Sequence, residues 1–298
     1  MKKIINIIAP IAIAVVFVIV PLHAFAATVY LEASRSTVSV GDTAVVTVKI
    51  NADGSVLNTV DGEVTLKSSS LNLAVQEFSL ANSAFGLWPR TPSLSKDLKT
   101  ISFVGGVPGG FSIEGATIFK IIVEAKKAGV VTINPQNISV FANDGKGTKL
   151  PVQFKNITIT VTPKLQGTAI QNDWSGVVTA DTVPPEDFVI VLGQEPTLFD
   201  GKKFAFFSAI DNQSGIDYYD VSENGGVAVR SGSTYVLKDQ SDSVRLQVTA
   251  YDKAGNKKIA LHQSQSRGVN WLGIIIIVLV VLIVRFMYKK WKKNKLNV

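Results

Sequence analysis

The side chains that could support catalysis in this chain are carboxylates. The 298-residue sequence has no cysteine and only two histidines, His23 in an N-terminal apolar stretch and His262 shortly before a C-terminal one. A thiol nucleophile and a zinc site built from cysteines or several histidines are therefore excluded. If the N-terminal stretch is removed, the one remaining histidine is His262, next to the C-terminal apolar segment, so we predict no Ser-His-Asp triad. Glycosidase chemistry needs only two carboxylates. The candidates in the first half of the chain are Glu63, Glu77, Glu114 and Glu124. Because acidic side chains also keep strand faces and edges soluble, we predict that the chain is not an enzyme.

Acidic turns raise the question of a bound metal. Asp211 and Asp217 flank one turn, and residues 143–147 (NDGKG) form another. Both have too few carboxylates for a dedicated calcium loop. The sequence therefore predicts no cofactor. A structural Ca²⁺ at the turn of Asp211 and Asp217 is the alternative to a plain hydrogen-bonded turn.

The best candidate recognition segment is residues 80–94 (LANSAFGLWPRTPSL), which we predict to be a long connection with an aromatic centre stiffened by proline. Long loops of this kind often carry function. In one interpretation Phe85 or Trp88 stacks on a sugar or fills a partner's pocket, with Arg90 as a polar anchor. In the other, the rings fold back and cap the hydrophobic core. Phe111 lies in a second loop of this kind, and the same two interpretations apply to it. The predicted ligand-binding residues are therefore Phe85, Trp88, Arg90 and Phe111.

The C-terminal residues 271–288 predict a transmembrane helix. Residues 274–284 are all Ile, Val or Leu, and the apolar segment approaches the roughly 20 residues that a helix needs to cross a bilayer. Positive flanks stay in the cytoplasm, so we expect residues 289–298 to form a basic cytoplasmic tail. The residues predicted to anchor this helix are Trp271, Arg285, Lys289 and Lys290.

The N-terminal residues 1–26 predict a signal peptide. Lys2 and Lys3 precede an apolar stretch that ends in Ala-Phe-Ala at residues 24–26, a pattern typical of a cleavage site. An uncleaved N-terminal anchor is the alternative. Both interpretations place residues 27–270 outside the cell membrane, with the C-terminus in the cytoplasm.

The net charge of +7 belongs to the ends of the chain. Residues 2 and 3 carry two of the 30 basic side chains and residues 285–295 carry six, so residues 27–270 hold 22 basic and 23 acidic groups. A nucleic-acid-binding protein would need a basic surface on its folded part. The charge distribution therefore argues against nucleic acid as a partner.

The exported part predicts an all-β fold of two sandwiches in series. Short runs rich in β-branched residues, separated by turn residues, indicate antiparallel sandwiches. About nine strands are predicted in the first sandwich, including residues 43–50, 60–66, 71–78, 99–104, 116–125, 130–133, 138–141 and 152–161. The predicted boundaries are residues 27–163 for the first sandwich, 164–174 for a linker, 175–262 for a smaller second sandwich and 263–270 for a juxtamembrane linker.

Four blocks of the first sandwich resemble a cohesin domain: residues 38–50 (VSVGDTAVVTVKI), 61–66 (DGEVTL), 100–106 (TISFVGG) and 115–133 (GATIFKIIVEAKKAGVVTI). The resemblance covers about residues 28–162. It implies a nine-stranded jelly-roll sandwich, related to carbohydrate-binding modules, that recognises a dockerin partner across one sheet face in polysaccharide-degrading assemblies. The chain contains no dockerin-like repeat, so the partner is a separate protein. The contact positions of the family follow no fixed motif and are not transferred to this sequence.

Three segments of the second sandwich resemble those of bacterial immunoglobulin-like surface domains: residues 181–188 (DTVPPEDF), 209–219 (AIDNQSGIDYY) and 248–256 (VTAYDKAGN). Pro184 and Pro185 are typical of the start of an edge strand, and residues 253–256 predict a turn before the last strand. Residues 203–210 and 242–251 are the predicted core strands.

These features support three functional hypotheses. The first is a non-catalytic cell-surface receptor or scaffold, in which the cohesin-like sandwich binds an extracellular, dockerin-like protein. The second is an adhesin that binds polysaccharide through its aromatic loops. The third is a structural envelope protein in which both sandwiches are spacers.

Overall fold

The structure is a computed structural model, and it describes residues 27–68, 70–263 and 285. The predicted signal peptide lies outside the described residues, as do Trp271, Lys289, Lys290 and all of the predicted transmembrane helix except Arg285. Within the described ranges no helix has both the length and the apolar character needed to cross a bilayer.

The first unit is a sandwich of two β-sheets that share one hydrophobic core. The first sheet contains, in order across it, β11 (Val152–Lys155), β1 (Ala27–Ala33), β3 (Thr43–Asn51), β8 (Ala116–Ala125) and β5 (Leu73–Ser79). The second sheet contains β2 (Thr37–Ser39), β12 (Ile157–Thr162), β9 (Gly129–Ala142), β4 (Leu57–Lys67), β7 (Thr100–Phe111) and β6 (Leu87–Leu94), and β10 (Lys149–Leu150) pairs with β9. Strict alternation in β3 buries Ala44, Val46, Val48 and Ile50, as expected for a strand with one face in the core.

Two predicted strand boundaries in this unit were wrong. Residues 130–133 and 138–141 belong to the single strand β9, which continues through Asn137 in the left-handed conformation (φ 51°). Asparagine tolerates this conformation better than most residues, so the strand bends locally without ending. Residues 152–161 divide into β11 and β12, which belong to different sheets.

The predicted loops around the aromatic residues were also partly wrong. The second half of residues 80–94 forms β6, and residues 107–111 continue β7. Pro89 and Pro92, which were expected to stiffen a loop, donate no backbone hydrogen bond. However, β6 is the edge strand of its sheet, where proline is tolerated.

The second unit is a smaller β-sandwich with its own core. One sheet contains β13 (Ile190–Gln194), β14 (Lys203–Phe207) and β17 (Thr234–Val236). The other contains β16 (Val229–Ser231), β15 (Ile216–Glu223), β18 (Arg245–Asp252) and β19 (Lys257–Gln263), and a short 3₁₀ helix spans Phe199–Gly201. The two predicted core strands are confirmed as β14 and β18, and residues 253–256 form the turn between β18 and β19. The assignment to an immunoglobulin-like class stays a prediction.

The end of the predicted linker is fixed to the first unit. The Thr43 N–H donates to the Gln171 carbonyl (2.9 Å), and the Gln171 N–H donates to Asp42 Oδ1 (3.0 Å). Arg35 joins the two sides, because it donates to both Asp42 (3.1 Å) and Asp173 (2.9 Å). A short helix, α1 (Ser175–Ala180), follows directly, so the chain enters the second unit from a defined position.

The carboxyl of Asp42 predicts a pH dependence of this attachment. Burial raises its pKa, but the N–H groups of Gln171 and Ser39 and the Arg35 guanidinium outweigh burial, so the pKa lies below its ordinary value of 3.8. A carboxyl with a lowered folded-state pKa stabilises the fold above its unfolded pKa, and this stabilisation is lost as the pH falls through the folded value. We expect Asp42→Ala to cost about 1.5–3 kcal/mol at pH 7 and progressively less below pH 4 in urea unfolding. The exposed Asp61→Ala serves as a control, and a cost that is independent of pH would contradict the prediction.

The two units meet in a close joint. Ser79 Oγ donates to the Ser214 carbonyl (3.0 Å), and Lys253 forms a salt bridge with Glu77. Gly215 has a positive φ (85°), and a Cβ there would lie 2.8 Å from Ser79 Oγ. Only glycine combines this backbone conformation with such a short approach. The joint therefore depends on a glycine within the segment that resembled an immunoglobulin-like domain.

Candidate functional site

The outer face of the first sheet is partly covered by the linker. Trp174 is buried, and together with Val177 it lies beside Val45 and Thr47 of β3 and Lys120 of β8. The Lys120 ammonium lies 5.8 Å from the centre of the Trp174 ring, and burial lowers the pKa of this lysine. The salt bridge between β5 and the second unit adds to this cover. Much of this sheet is therefore unavailable to a partner.

The outer face of the second sheet is available. The main attachments of the linker and the second unit fall on β3, β5 and β8, whereas the outward side chains at the centre of β4, β7 and β9 are exposed or half-exposed. Six of these side chains, together with two from the edge strand β6, form a surface that we call the open face. Its residues are Asp61, Glu63, Arg90, Ser93, Ser102, Val104, Gln136 and Ser139.

The strand register arranges the open face in two rows. One row runs across β9, β4, β7 and β6 as Ser139, Asp61, Val104 and Arg90. The neighbouring row runs in the same order as Gln136, Glu63, Ser102 and Ser93. Directly opposed side chains on one sheet face lie about 5 Å apart, so the surface is continuous.

The charges of the open face are separated. Asp61 and Glu63 lie on the central strand β4, and the exposed Arg90 lies on the edge strand. The Glu63 carboxylate accepts hydrogen bonds from Asn137 Nδ2 (2.8 Å) and Gln136 Nε2 (3.3 Å), which fix its position. Asp61 is exposed. The face therefore presents an acidic centre with a basic edge.

Three of the predicted ligand-binding residues lie in the hydrophobic core. Phe85 is 2% exposed, and Trp88 and Phe111 are each 9% exposed. The Phe85 ring packs edge-on against those of Trp88 (5.8 Å between centroids) and Phe111 (5.5 Å), and Trp88 Nε1 donates to the Phe85 carbonyl (3.2 Å). This is the arrangement of the second interpretation, in which the rings cap the core. Contact with a sugar would require the rings to leave it, and ligand binding by these three residues stays a prediction.

Arg90 is placed differently from the three rings, because it belongs to the open face. The rest of this face was missed by the sequence reasoning, although a signal was present. In the block DGEVTL, Asp61 and Glu63 are two residues apart, which places both on the same face of a strand. The sequence does not show that this face of the sheet stays uncovered.

The four glutamates considered for catalysis each have a local partner. Glu63 is held by the two amides on β9, Glu77 by Lys253, Glu114 by the Asp53 N–H (2.9 Å) and Glu124 by Lys126 (2.8 Å). Glu63 lies on the second sheet, whereas Glu77 and Glu124 lie on the first. Each of the four carboxylates therefore has a local structural contact, and the absence of catalysis stays a prediction.

Asp211 belongs to a buried acidic cluster, and Asp217 lies outside it. Asp181, Asp211 and Asp252 are all buried, and one carboxylate oxygen of each lies within 4.8 Å of the others. Burial raises the pKa of Asp211, and the nearby Asp181 and Asp252 raise it further, against the opposing hydrogen bond from the Gly215 N–H. Asp217 is exposed on β15. The structure therefore groups three aspartates from separate segments of the second unit.

The described residues thus define an all-β protein in which two sandwiches are joined closely and one sheet face is open. No family model matches this chain, and no curated protein matches it. Solved structures that resemble it are cohesin modules.

The similarity to these modules covers about half of the chain. The seventh ScaB type I cohesin from Pseudobacteroides cellulosolvens is 19% identical, with a TM-score of 0.39, and the match covers 48% of this chain and 97% of that one. A non-cellulosomal cohesin from the archaeon Archaeoglobus fulgidus is 15% identical, with a TM-score of 0.37, covering 46% and 91%. A type I cohesin–dockerin complex from Clostridium thermocellum matches at 12% identity and a TM-score of 0.38, covering 47% and 96%.

Proposed function

We propose that this chain is a non-catalytic binding protein that presents the open face of its first sandwich to a protein partner. The observation that carries the proposal is the difference between the two outer faces: the linker and the second unit attach to the first sheet, whereas the centre of the second sheet stays exposed. A binding module joined so closely to a neighbouring unit needs a face that the joint does not occupy.

The composition of the open face favours protein over polysaccharide. Its eight residues include two acids and one arginine but no aromatic ring, and the rings of Phe85, Trp88 and Phe111 are buried. Sugar recognition commonly relies on an exposed aromatic face, whereas arranged charges steer and orient a protein partner. A partner with a basic centre and an acidic edge would match the charges on this face.

The identity of the partner and its location rest on the sequence. The resemblance of residues 28–162 to a cohesin domain supports a dockerin-bearing partner, and with it a role in polysaccharide degradation. The predicted signal peptide and C-terminal helix support display on the cell surface with the C-terminus in the cytoplasm. We include these features in the proposal.

Charge reversal on the open face tests the proposal. We expect the full-length chain to capture a dockerin-bearing protein from the organism's secreted proteins. The double variant Asp61→Arg, Arg90→Glu is expected to weaken that binding at least tenfold, about 1.4 kcal/mol, because like charges then face each other across the interface. Surface plasmon resonance with the captured protein measures the change.

The matched control is Lys155→Glu, which reverses an exposed charge on β11 of the other sheet and is expected to leave binding unchanged. Equal binding by the open-face variant and the control would contradict the proposal. Retention of the chain on a polysaccharide, lost in Trp88→Ala without loss of folding, would favour the adhesin hypothesis instead. Failure to bind either class would favour the spacer hypothesis.

A further inference from the structure

Each of the three segments that resembled an immunoglobulin-like domain contributes one buried aspartate to a single place. Asp181 comes from the segment after α1, Asp211 from the loop after β14 and Asp252 from the end of β18. Their exposures are 5%, 3% and 2%, and one carboxylate oxygen of each lies within 4.8 Å of the other two. Three carboxylates are thus gathered in the interior of the second unit, at its joint with the first.

The negative charge of this cluster is not matched by the neighbouring side chains. The ion pairs formed by Lys and Arg within the described residues use other acids. The charge of Lys120 acts on Asp211, but one lysine cannot balance three carboxylates. Buried charges require a partner of opposite sign, so the cluster calls for a further cation.

Ser214 supplies an independent observation at the same place. Its side chain is fully buried, and its Oγ has no hydrogen-bond partner among the residues that the structure describes. The Ser214 N–H donates to Asp181 Oδ2 (3.1 Å), and the next N–H, that of Gly215, donates to Asp211 Oδ1 (2.6 Å). The main chain at Ser214 and Gly215 is therefore held between two of the three carboxylates. Buried hydroxyl groups nearly always have a hydrogen-bond partner. An unpartnered hydroxyl oxygen at this position is therefore free to coordinate a cation.

We propose that Asp181, Asp211 and Asp252 bind one calcium ion at the joint between the two units, with Ser214 Oγ as a further oxygen ligand. Carboxylate and hydroxyl oxygens suit a hard cation. The chain has no cysteine, and within the described ranges no histidine belongs to this acidic group, which disfavours zinc. Ligands that come from irregular loops suit the flexible coordination of Ca²⁺ better than the strict octahedron of Mg²⁺.

The bound ion would hold together the residues that contact the first unit. The Ser214 carbonyl accepts the hydrogen bond from Ser79, and Asp252 precedes Lys253, which pairs with Glu77. Calcium would thus stiffen the joint and fix the direction in which the first sandwich is displayed. This site is separate from the open face, so its role does not depend on the nature of the partner.

The test is calcium binding by the full-length chain purified in detergent and stripped with EDTA. Isothermal titration calorimetry is expected to show one Ca²⁺ per chain. Differential scanning calorimetry is expected to show a rise in the melting temperature of the second unit on the order of 10 °C when calcium exceeds its dissociation constant about 100-fold. Magnesium at the same concentration should have a smaller effect.

Two variants and a matched control locate the ion. Asp211→Asn and Asp252→Asn are expected to abolish both the binding and the thermal shift, while in EDTA they melt no lower than the wild type because a repelling charge is removed. Asp217→Asn, which alters an exposed aspartate six residues from Asp211, should keep the full response. An identical melting temperature of the wild type in calcium and EDTA, without a calorimetric signal, would overturn the proposal and show that protons neutralise the cluster. The wild-type titration decides the question even where a variant fails to fold.

Discussion

Replacement of Trp88 by alanine is expected to lower the free energy of unfolding of the first sandwich by about 3–5 kcal/mol. The Trp88 ring is 9% exposed and packs edge-on against Phe85 and Phe119, with centroids at 5.8 and 6.4 Å. A Cβ at Gly105 would lie 2.8 Å from the Trp88 ring, so the ring fills its site closely. Its removal leaves a cavity that the two sheets cannot close without moving.

Urea unfolding of the full-length chain, followed by circular dichroism, measures this loss. Arg90→Ala is the control, because Arg90 is only two residues further along β6 but exposed; its effect should stay within about 0.5 kcal/mol. If Trp88→Ala instead left the stability unchanged and removed binding to a polysaccharide, Trp88 would be a ligand-binding residue. The experiment thus separates the two interpretations of this aromatic segment.

Phe207→Ala is expected to destabilise the second sandwich by a similar 3–5 kcal/mol. Phe207 is fully buried, and its ring packs edge-on against that of Tyr219 at 5.0 Å. The Tyr219 hydroxyl accepts the Ala209 N–H (2.9 Å), so the tyrosine cannot easily move into the vacated space. Phe199→Ala, which truncates a ring that is 43% exposed, is the control and should cost much less.

Differential scanning calorimetry shows which unit each variant affects. The buried residues form two clusters without a common member, one in each sandwich. We therefore expect Trp88→Ala and Phe207→Ala to lower different transitions. A single transition lowered equally by both variants would contradict this expectation and show that the joint couples the units into one cooperative body.

The joint fixes the orientation of the open face. The last residues of the linker are bound to Arg35, Asp42 and Thr43, and the second unit contacts β5 directly. The first sandwich is therefore held in one orientation, whereas a free polar linker would let it rotate. A fixed orientation is compatible with the binding role proposed for the open face.

Local pattern predicted the strands whose two faces differ in polarity. β3 and β18 alternate apolar and polar residues, and both lie where the sequence predicted. The segment that forms β6 was predicted to be part of a loop stiffened by proline. Its position at a sheet edge, which permits the two prolines, depends on strand order. Strand order arises from contacts between distant residues, so a local pattern does not contain it.

The candidate sites likewise combine features visible in the local sequence with features that depend on the tertiary structure. The alternation of Asp61 and Glu63 was visible in the sequence, but the exposure of their face depends on where the linker attaches. The pairing of Asp211 with Asp217 followed from their proximity along the chain, whereas the structure groups Asp211 with Asp181 and Asp252, 30 and 41 residues away. Residues so far apart in sequence come together only when the chain folds. The local sequence around each of them does not show which others it will meet.

The sequence by itself determined the all-β class of the described part, the absence of cysteine and hence of thiol catalysis, and the location of the positive charge at the ends of the chain. These properties follow from composition and from the two-residue period of strands. The tertiary structure alone decided that Trp88 faces inward, that one sheet face is covered and the other open, and that three aspartates meet at the joint. Each of these depends on the packing of segments far apart in sequence, which is set by the total free energy of the fold and not by any local preference.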